Sequence, residues 1–204
     1  MQTVPLIFRC DASSEIGWGH FRRCYALAEV AQQSGRYKVY FLTRSLPKAL
    51  EKKLKEIHAT VQKLPDDASL EQDLAQIHSM FDLMSRKNII VCIDHYGWTS
   101  ECIRELKNDP RVTLIAFDDG LKRQYFCDFL INQNIDADKI AYAVNDDCQQ
   151  LLGPKYVMIR DEIQTLRQHP TERMAETFQF VVTLGGGAVS YTHLRAHETK
   201  ANLV

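Results

Sequence analysis

The 204-residue sequence lacks an apolar run of the length that crosses a lipid bilayer, which takes about 18–20 residues. Its first residues also lack a basic region followed by a long apolar one, so no secretory signal is predicted there. Neither sign of charge dominates, because 25 basic and 26 acidic residues give a formal net charge of −1. Broad electrostatic capture of nucleic acid is therefore not expected, since such capture depends on a basic surface.

The sequence contains no Cys-x-x-Cys pair. Its six cysteines stand at wide, uneven spacings: Cys10, Cys24, Cys92, Cys102, Cys127 and Cys148. In a chain of this length, such spacing favours reduced thiols over a disulfide scaffold. We therefore expect a cytoplasmic protein whose cysteines are mostly small buried apolar residues.

Short apolar segments alternate with amphipathic ones through the first 150 residues. The predicted strands are residues 4–10, 37–42, 59–64, 88–94, 112–117 and 126–131, and the predicted helices are 20–34, 47–58, 69–85 and 99–107. The segment 88–94 is almost wholly apolar, which is typical of a parallel strand covered on both faces. The alternation predicts the α/β class, with a doubly wound, Rossmann-like parallel sheet.

The pattern changes near Leu152, and we predict an N-terminal domain over residues 1–150. We interpret residues 151–188 as a linker and the start of a second, truncated α/β unit. In that unit a predicted strand, 178–184, runs into three consecutive glycines. Residues 189–204 continue no pattern and resemble translated library-adapter read-through, so they are interpreted as non-native sequence without a role in the fold.

The loop after the first predicted strand carries several residues suited to ligand binding. It runs from Asp11 to His20 and places Gly17 and Gly19 just before the first predicted helix. Glycine lets backbone N–H groups approach a ligand, and a helix N-terminus favours negative charge. No Gly-Lys-Ser or Gly-Lys-Thr follows, so the loop is not a P-loop. A plain tight turn explains the two glycines equally well.

His20 is predicted to lie at the carboxyl edge of the sheet, where open α/β sheets bind ligands. The helix dipole favours a neutral imidazole at the first turn, and a neutral imidazole can accept a proton from water. The alternative is a capping or surface histidine. Arg23 follows on the same helix and could reach a phosphate or carboxylate of a ligand. The alternative is a solvated arginine or an intramolecular salt bridge.

Acidic residues follow two further predicted strands. Asp94, His95 and Tyr96 combine an acid, an imidazole and a phenol, which together could orient a polyhydroxylated ligand. Asp118 and Asp119 could bind sugar hydroxyls or orient a base. Acidic turns of this kind are also common at strand ends that have no function.

These segments, taken in order, resemble one family. The matching residues are Asp11-x-Ser13-x-x-Ile16-Gly17-x-Gly19-His20-x-x-Arg23-Cys24-x-x-Leu27-Ala28, then Asp94-His95-Tyr96, Asp118-Asp119, Cys127-Asp128, Asn132-Gln133-Asn134 and Leu152-Gly153-Pro154-Lys155-Tyr156. The set is similar to the UDP-diacetamido-trideoxy-altropyranose hydrolases of bacterial pseudaminic acid biosynthesis. Related spore-coat polysaccharide proteins share much of it.

The resemblance implies a two-domain fold similar to the GT-B glycosyltransferases, with the active site in the cleft. It implies a reaction in which water attacks the anomeric carbon of a UDP-sugar and releases UDP with inversion, without a metal or cofactor. His20 matches the histidine thought to activate that water, and Tyr96 matches a tyrosine of the sugar site. The other residues assigned to substrate binding are Asp11, Gly17, Gly19, Arg23, Asp94, Asp119, Gly185 and Gly186.

One departure from the family bears on activity. In that family the second domain continues well past the glycine turn and supplies most contacts to UDP, whereas here the pattern stops after Gly187, where serine is commoner. We therefore expect this chain to fold its first domain but to bind UDP-sugar poorly and to be inactive. The alternative functions are a GT-B glycosyltransferase and a non-catalytic sugar-nucleotide-binding protein of surface polysaccharide synthesis.

Overall fold

A computed structural model describes residues 3–84, 87–121 and 123–168. The strands are β1 (Val4–Cys10), β2 (Tyr37–Thr43), β3 (Thr60–Lys63), β4 (Ile89–Asp94), β5 (Val112–Phe117), β6 (Gln124–Tyr125), β7 (Phe129–Asn132), β8 (Ala143–Val144) and β9 (Gln149–Leu152). The helices are α1 (Gly19–Gln33), α2 (Lys48–Glu56), α3 (Leu70–Met84), α4 (Ser100–Lys107) and α5 (Asp161–Gln168). None of the helices in this part of the chain is both long and apolar enough to cross a membrane.

Seven strands of the described residues form one sheet in the order β3-β2-β1-β4-β5-β7-β9. Every neighbouring pair in this sheet is parallel. The short strands β6 and β8 form a separate parallel pair. The predicted α/β class and the Rossmann-like parallel sheet are therefore confirmed.

Apolar side chains cover both faces of the sheet, which explains why the central strands read as continuous apolar sequence. On one face, Phe8 packs in a core to which α1 and α2 contribute Phe21 and Leu54. On the other face, Ile7 packs in a second core with side chains from α3 and α4, among them Phe81. Full burial of each such side chain contributes about 1.5–3 kcal/mol, so the two cores hold the sheet between its helices.

The predicted bounds agree closely with those of β1 to β5 and α1 to α4. After β5 the sheet continues with two further strands, β7 and β9. The predicted strand 126–131 begins later, at Phe129, since the backbone N–H of Cys127 bonds to the side chain of Asn145 at 2.8 Å. β9 was not predicted because Gln149 and Gln150 are polar. The predicted domain boundary after residue 150 falls inside this strand. The predicted strand 178–184 lies outside the described residues.

The sheet has its topological switch point at β1. The chain goes from β1 to β2 and β3 on one side, and then returns to place β4 and β5 on the other side. Connections that diverge in this way leave a crevice at the carboxyl ends of the strands, which is where open α/β sheets bind ligands. The residues that follow β1 and β4 are therefore the first to examine for function.

Candidate active site at the sheet switch point

The switch point brings together residues that are far apart in the sequence. Cys10 and Asp94, the last residues of β1 and β4, lie opposite each other in register. α1 begins nine residues after β1, which places His20 and Arg23 of its first turns over the end of β4. Asp119, which follows β5, completes the group. Four of the predicted site residues thus lie in one cluster, the Asp94 cluster: His20, Arg23, Asp94 and Asp119.

The imidazole of His20 is held by Asp94. Its Nδ1 lies 2.5 Å from Asp94 Oδ1, and both side chains are buried. An ionised carboxylate only accepts hydrogen bonds, so Nδ1 must carry the proton, which leaves the lone pair of the neutral ring on Nε2. Nε2 has no hydrogen-bond partner in the described chain and is not among its fully buried unpartnered atoms. It is therefore unpaired among the described residues and retains some accessible surface.

Arg23 connects the two carboxylates of the cluster. Its Nε donates to Asp94 Oδ2 and its Nη2 to Asp94 Oδ1 at 2.5 Å, which is a bidentate pair. Nη1 donates to Asp119 Oδ1 at 2.5 Å. Nη2 also lies 3.1 Å from His20 Nδ1, because both atoms share Asp94 Oδ1. All three nitrogens of the guanidinium thus bond to these carboxylates, as the salt-bridge alternative for Arg23 expects.

The charges of the cluster are mutually stabilised. Burial alone would raise the pKa of Asp94, but hydrogen bonds from Arg23 and His20 outweigh it and hold the pKa below its usual range. The pKa of Asp119 is also lowered. Burial alone would raise it, but the hydrogen bond and the charge of Arg23 outweigh burial. Burial opposes the charge of Arg23, yet Asp94 and Asp119 raise its pKa well above the usual value. Both acids are therefore ionised at neutral pH.

The Asp94 cluster carries an excess of negative charge when the His20 imidazole is neutral. With a neutral imidazole, the Asp94 cluster holds one cation and two carboxylates, so it has one unit of excess negative charge. A proton that arrives at Nε2 during a reaction neutralises that excess. Asp94 fixes the orientation of the ring through its hydrogen bond with Nδ1.

Tyr96 covers the edge of this cluster. Its ring meets the ring of His20 edge-on, with centroids 4.4 Å apart, and its hydroxyl donates to Asp119 Oδ2 at 3.1 Å. The residue is 54% exposed, unlike the buried acids beneath it. Partial burial and the nearby carboxylate of Asp119 raise the pKa of its phenol. Tyr96 is therefore a neutral aromatic surface beside the free nitrogen of His20.

The adjacent acids Asp118 and Asp119 have different surroundings. Asp118 is buried, and its carboxylate accepts hydrogen bonds from the Tyr125 hydroxyl, the Tyr142 hydroxyl at 2.9 Å and the backbone N–H of Gly120 at 2.6 Å. These bonds hold the loop that carries Asp118 against the segment that follows it in the sequence. Asp119 keeps 27% of its side chain exposed and faces Arg23 and Tyr96. Only Asp119 of the pair is therefore placed to meet a ligand.

Asp11 and His95 form a second histidine–carboxylate pair at the switch point. His95 Nε2 lies 3.0 Å from Asp11 Oδ2, and His95 Nδ1 accepts the backbone N–H of Gly97 at 3.0 Å. Both ring nitrogens are occupied, so this imidazole has no free acceptor. Asp11 also accepts from the Thr43 hydroxyl and the backbone N–H groups of Arg44 and Ser45. Its bonds join the loops after β1, β2 and β4.

The charge of Asp11 depends on these partners. Burial alone would raise its pKa, but the hydrogen bond with His95 and the nearby guanidinium of Arg9 outweigh it and hold the pKa well below its usual range. Asp11 is 6% exposed and its oxygens are engaged from several sides. In this structure it joins strand-end loops, and its role in substrate binding stays a prediction.

The two glycines of the first loop have different local structures. Gly17 has φ of +78°, and its N–H donates to the carbonyl of Ser13 at 3.0 Å, so it closes a tight turn that requires glycine. Gly19 is the exposed first residue of α1, and a Cβ built on it would meet nothing within 4 Å. Open space at a helix N-terminus leaves room for a ligand there. Gly185 and Gly186 lie outside the described residues.

A buried ion pair beside the site was not predicted from the sequence. Arg9 of β1 is fully buried, and its Nε donates to both oxygens of Asp73 on α3 at 2.8 Å. Trp98 Nε1 donates to Asp73 at 3.3 Å, and Arg44 Nη2 does so at 3.2 Å. An arginine inside the apolar strand β1 is the signal that could have predicted an acidic partner, since buried charges need one. Asn134, 3.4 Å from Asp119, was also missed.

The described residues contain no group of three or more His, Cys, Asp or Glu side chains arranged to hold a metal ion. The site therefore consists of one histidine with a free nitrogen, a buried carboxylate behind it, an arginine that bridges two acids, and an exposed tyrosine. Together with the fold, this arrangement is that of a Rossmann-like α/β domain with an oriented histidine at its switch point.

Comparison with known proteins agrees with the predicted resemblance. No known family profile matches the chain. The chain is 29% identical over 186 residues to the UDP-2,4-diacetamido-2,4,6-trideoxy-beta-L-altropyranose hydrolase of Campylobacter jejuni. The alignment covers 90% of this chain and 61% of the Campylobacter enzyme. The resemblance that the motifs predicted is thus confirmed, and the chain spans about 61% of the length of this relative.

Proposed function

We propose that the Asp94 cluster is the water-activating part of an enzyme that hydrolyses a UDP-sugar. The observation that carries the proposal is the His20–Asp94 pair, which leaves Nε2 of a buried, oriented imidazole free at the sheet switch point. The similarity to the Campylobacter hydrolase supports the UDP-sugar as the substrate class. The substrate proposed for this chain is the UDP-diacetamido-trideoxyhexose for which that relative is named.

In the proposed reaction, His20 Nε2 accepts a proton from a water molecule as the water oxygen attacks the anomeric carbon. The bond between that carbon and the phosphate oxygen breaks, UDP leaves with the bonding electrons, and the sugar is released with inverted configuration. UDP is a good leaving group, so the main demand on the protein is to place the water and to stabilise an oxocarbenium-like centre. The excess negative charge of the Asp94 cluster suits both tasks.

The other assigned residues divide by their surroundings. Tyr96 and Asp119 retain exposed surface beside His20 and are proposed to contact the sugar. Gly19 is proposed to present the α1 N-terminus to the diphosphate. Arg23 is proposed to act through Asp94 and Asp119, since its three nitrogens bond to them. The roles of Asp11, Gly17, Gly185 and Gly186 in substrate binding remain predictions from the resemblance.

The test is UDP release from the proposed UDP-sugar in the absence of any acceptor, followed by NMR of UDP and free hexose. Two proteins are compared. The first is the 204-residue chain, for which weak binding and no turnover remain the expectation. The second is a fusion of residues 1–187 to the part of the Campylobacter enzyme that lies beyond the aligned segment. In the fusion, His20→Ala and His20→Asn are expected to lower kcat by about 10²–10⁴-fold. The matched control is His78→Asn, because His78 on α3 pairs with Glu105 and packs edge-on against Phe81, outside the Asp94 cluster.

Three results would contradict the proposal in different ways. Unchanged turnover in both His20 variants would remove His20 from catalysis. UDP release that requires a sugar acceptor would favour a glycosyltransferase. UDP-sugar binding without turnover in the fusion would favour a non-catalytic binding protein. A cytoplasmic location, a two-domain organisation and the absence of nucleic-acid partners remain predictions.

A further inference from the structure

A pair of cysteines lies at the far edge of the sheet, away from the residues that the proposed reaction uses. The Sγ atoms of Cys127 and Cys148 are 3.6 Å apart, and both thiols are free. Cys127 is buried and Cys148 is half-buried, so a small reagent can reach one member of the pair first. A disulfide has an S–S distance of about 2.05 Å. To form one, the distance between these two sulfur atoms must shorten by less than the diameter of one atom.

The fold places these thiols together. Phe129 of β7 pairs with Gln149 of β9, so the residues just before the two strands are also neighbours. Asn145 strengthens this contact, because its side chain accepts the backbone N–H of Cys127 at 2.8 Å and its carbonyl accepts that of Cys148 at 3.0 Å. The two cysteines are therefore brought side by side by strand pairing and by a turn, independently of any contact between their sulfurs.

We propose that Cys127 and Cys148 are a site of reversible oxidative modification, at which the disulfide of a low-molecular-weight thiol forms an intramolecular bond. The thiolate of Cys148 attacks one sulfur of the reagent, releases one thiolate and forms a mixed disulfide. The thiolate of Cys127 then attacks the Cys148 sulfur and releases the second thiol. The two cysteines lose two electrons and two protons, and the reagent is reduced to two thiols.

The surroundings of the pair make the reaction selective and slow at neutral pH. Burial raises the pKa of Cys127 and also that of Cys148, so few thiolates are present. The rate should therefore rise with pH, since the thiolate is the reactive form. Once the mixed disulfide has formed at Cys148, the nearby Cys127 sulfur competes with any thiol in solution because it is already in contact.

The bond would close a loop that reaches the Asp94 cluster. The chain between the two cysteines carries Asn134, whose side chain lies 3.4 Å from Asp119, and Tyr142, whose hydroxyl donates to Asp118. A covalent link at the base of this loop restricts its opening and fixes the edge strand β9. Oxidation is therefore expected to slow hydrogen exchange of the backbone between residues 133 and 148 and to raise the melting temperature by about 5–10 °C.

The test uses the folded wild-type chain, incubated with glutathione disulfide at pH 7 and pH 9 and then blocked with iodoacetamide. Peptide mass analysis is expected to show a Cys127–Cys148 linked peptide, lighter by two hydrogen atoms than the sum of its parts, with faster formation at pH 9. A reducing thiol is expected to reverse it. The Cys148→Ser variant should form no link, whereas Cys102→Ser should form it as the wild type does, because Cys102 is equally half-buried but makes no sulfur–sulfur contact among the described residues.

Two results would overturn the proposal. One is a glutathione adduct that persists on Cys148 without conversion to the linked peptide. The other is a linked peptide that appears only when urea unfolds the chain. Since neither measurement involves UDP-sugar, the outcome is independent of the proposed reaction.

Discussion

His20 and Asp94 are 74 residues apart in the sequence, and their side chains are joined by a 2.5 Å hydrogen bond. The contact exists because β1 and β4 are neighbours in the sheet, which brings the residue that ends β4 under the first turn of α1. The same topology places Asp119 within reach of Arg23. The switch point of the sheet thus assembles a histidine, an arginine and two carboxylates from three separate strand ends.

Asp94→Asn tests whether the carboxylate both stabilises the fold and orients His20. The amide keeps the size of the side chain but removes the charge that neutralises buried Arg23. We expect the free energy of unfolding to fall by about 3 kcal/mol, since loss of one partner of a buried ion pair costs about 3–5 kcal/mol and Asp119 still pairs with Arg23. Urea unfolding measures this change, and the NMR signal of His20 Nδ1–H should shift or disappear.

The matched control is Asp67→Asn, which removes a carboxylate from an exposed loop between β3 and α3. Its effect on stability should stay within about 0.5 kcal/mol, as is usual for surface substitutions. If Asp94→Asn were as stable as the Asp67→Asn control, the ion pair with Arg23 would not hold the site together.

Stability should fall in acid because of Asp11 and Asp94. Both acids have a pKa below the usual range in the folded protein, so between their unfolded and folded pKa values the unfolded chain binds more protons. The stability they contribute is complete above the unfolded pKa, near 4, and is lost as pH falls below it, by about 1.4 kcal/mol per pH unit for each group. Urea unfolding between about pH 2 and pH 6 measures this slope.

Asp94→Asn should have a shallower slope than the wild type over the same pH range, because one of the two groups no longer titrates. The Asp67→Asn variant should keep the wild-type slope. An identical acid dependence in wild type and Asp94→Asn would mean that the Asp94 carboxylate has no altered pKa in the folded state.

Periodicity predicted the sheet and the strand-end location of the site, but not its internal contacts. The apolar strand before Asp94 and the helical spacing after His20 are local signals, and both were read correctly. Whether Arg23 meets a ligand or an internal acid depends on which strands are neighbours, and one sequence does not encode that explicitly. The sequence did not reveal the different surroundings of Asp118 and Asp119 for the same reason. Tyr142, whose hydroxyl bonds to Asp118, belongs to a later segment of the chain.

The buried pair of Arg9 and Asp73 should show strong coupling in a double-mutant cycle. Arg9→Met or Asp73→Leu alone leaves one charge buried without its main partner, and each is expected to lower the free energy of unfolding by about 3–5 kcal/mol. The double variant replaces both charges with apolar groups and should recover a large part of that loss. Arg44 and Trp98 also bond to Asp73, so recovery should be incomplete.

Denaturant unfolding of the wild type, the two single variants and the double variant gives the coupling free energy. A matched surface cycle uses Lys63→Met and Glu51→Leu, whose ion pair is 2.9 Å long with side chains 54% and 23% exposed. Its coupling should be about 0.2–1 kcal/mol. If the losses of Arg9→Met and Asp73→Leu simply add, the two residues do not act as a pair.

Gly97 and Gly19 should respond differently to a single added methyl group. A Cβ on Gly97 would lie 3.0 Å from Cε1 and 3.3 Å from Nδ1 of His95, whose ring is held between Asp11 and the Gly97 N–H. Gly97→Ala must therefore displace the ring and weaken both bonds, at a cost of about 1–2 kcal/mol. Gly19→Ala meets no atom within 4 Å and starts a helix, so its stability should be unchanged or up to about 1 kcal/mol higher. Thermal unfolding compares the two variants.

The Gly19→Ala variant also tests whether a ligand occupies the open space beside Gly19. In the fusion protein, weaker UDP-sugar binding by this stable variant would show that the ligand uses that space. Binding equal to that of the wild type would remove Gly19 from the site.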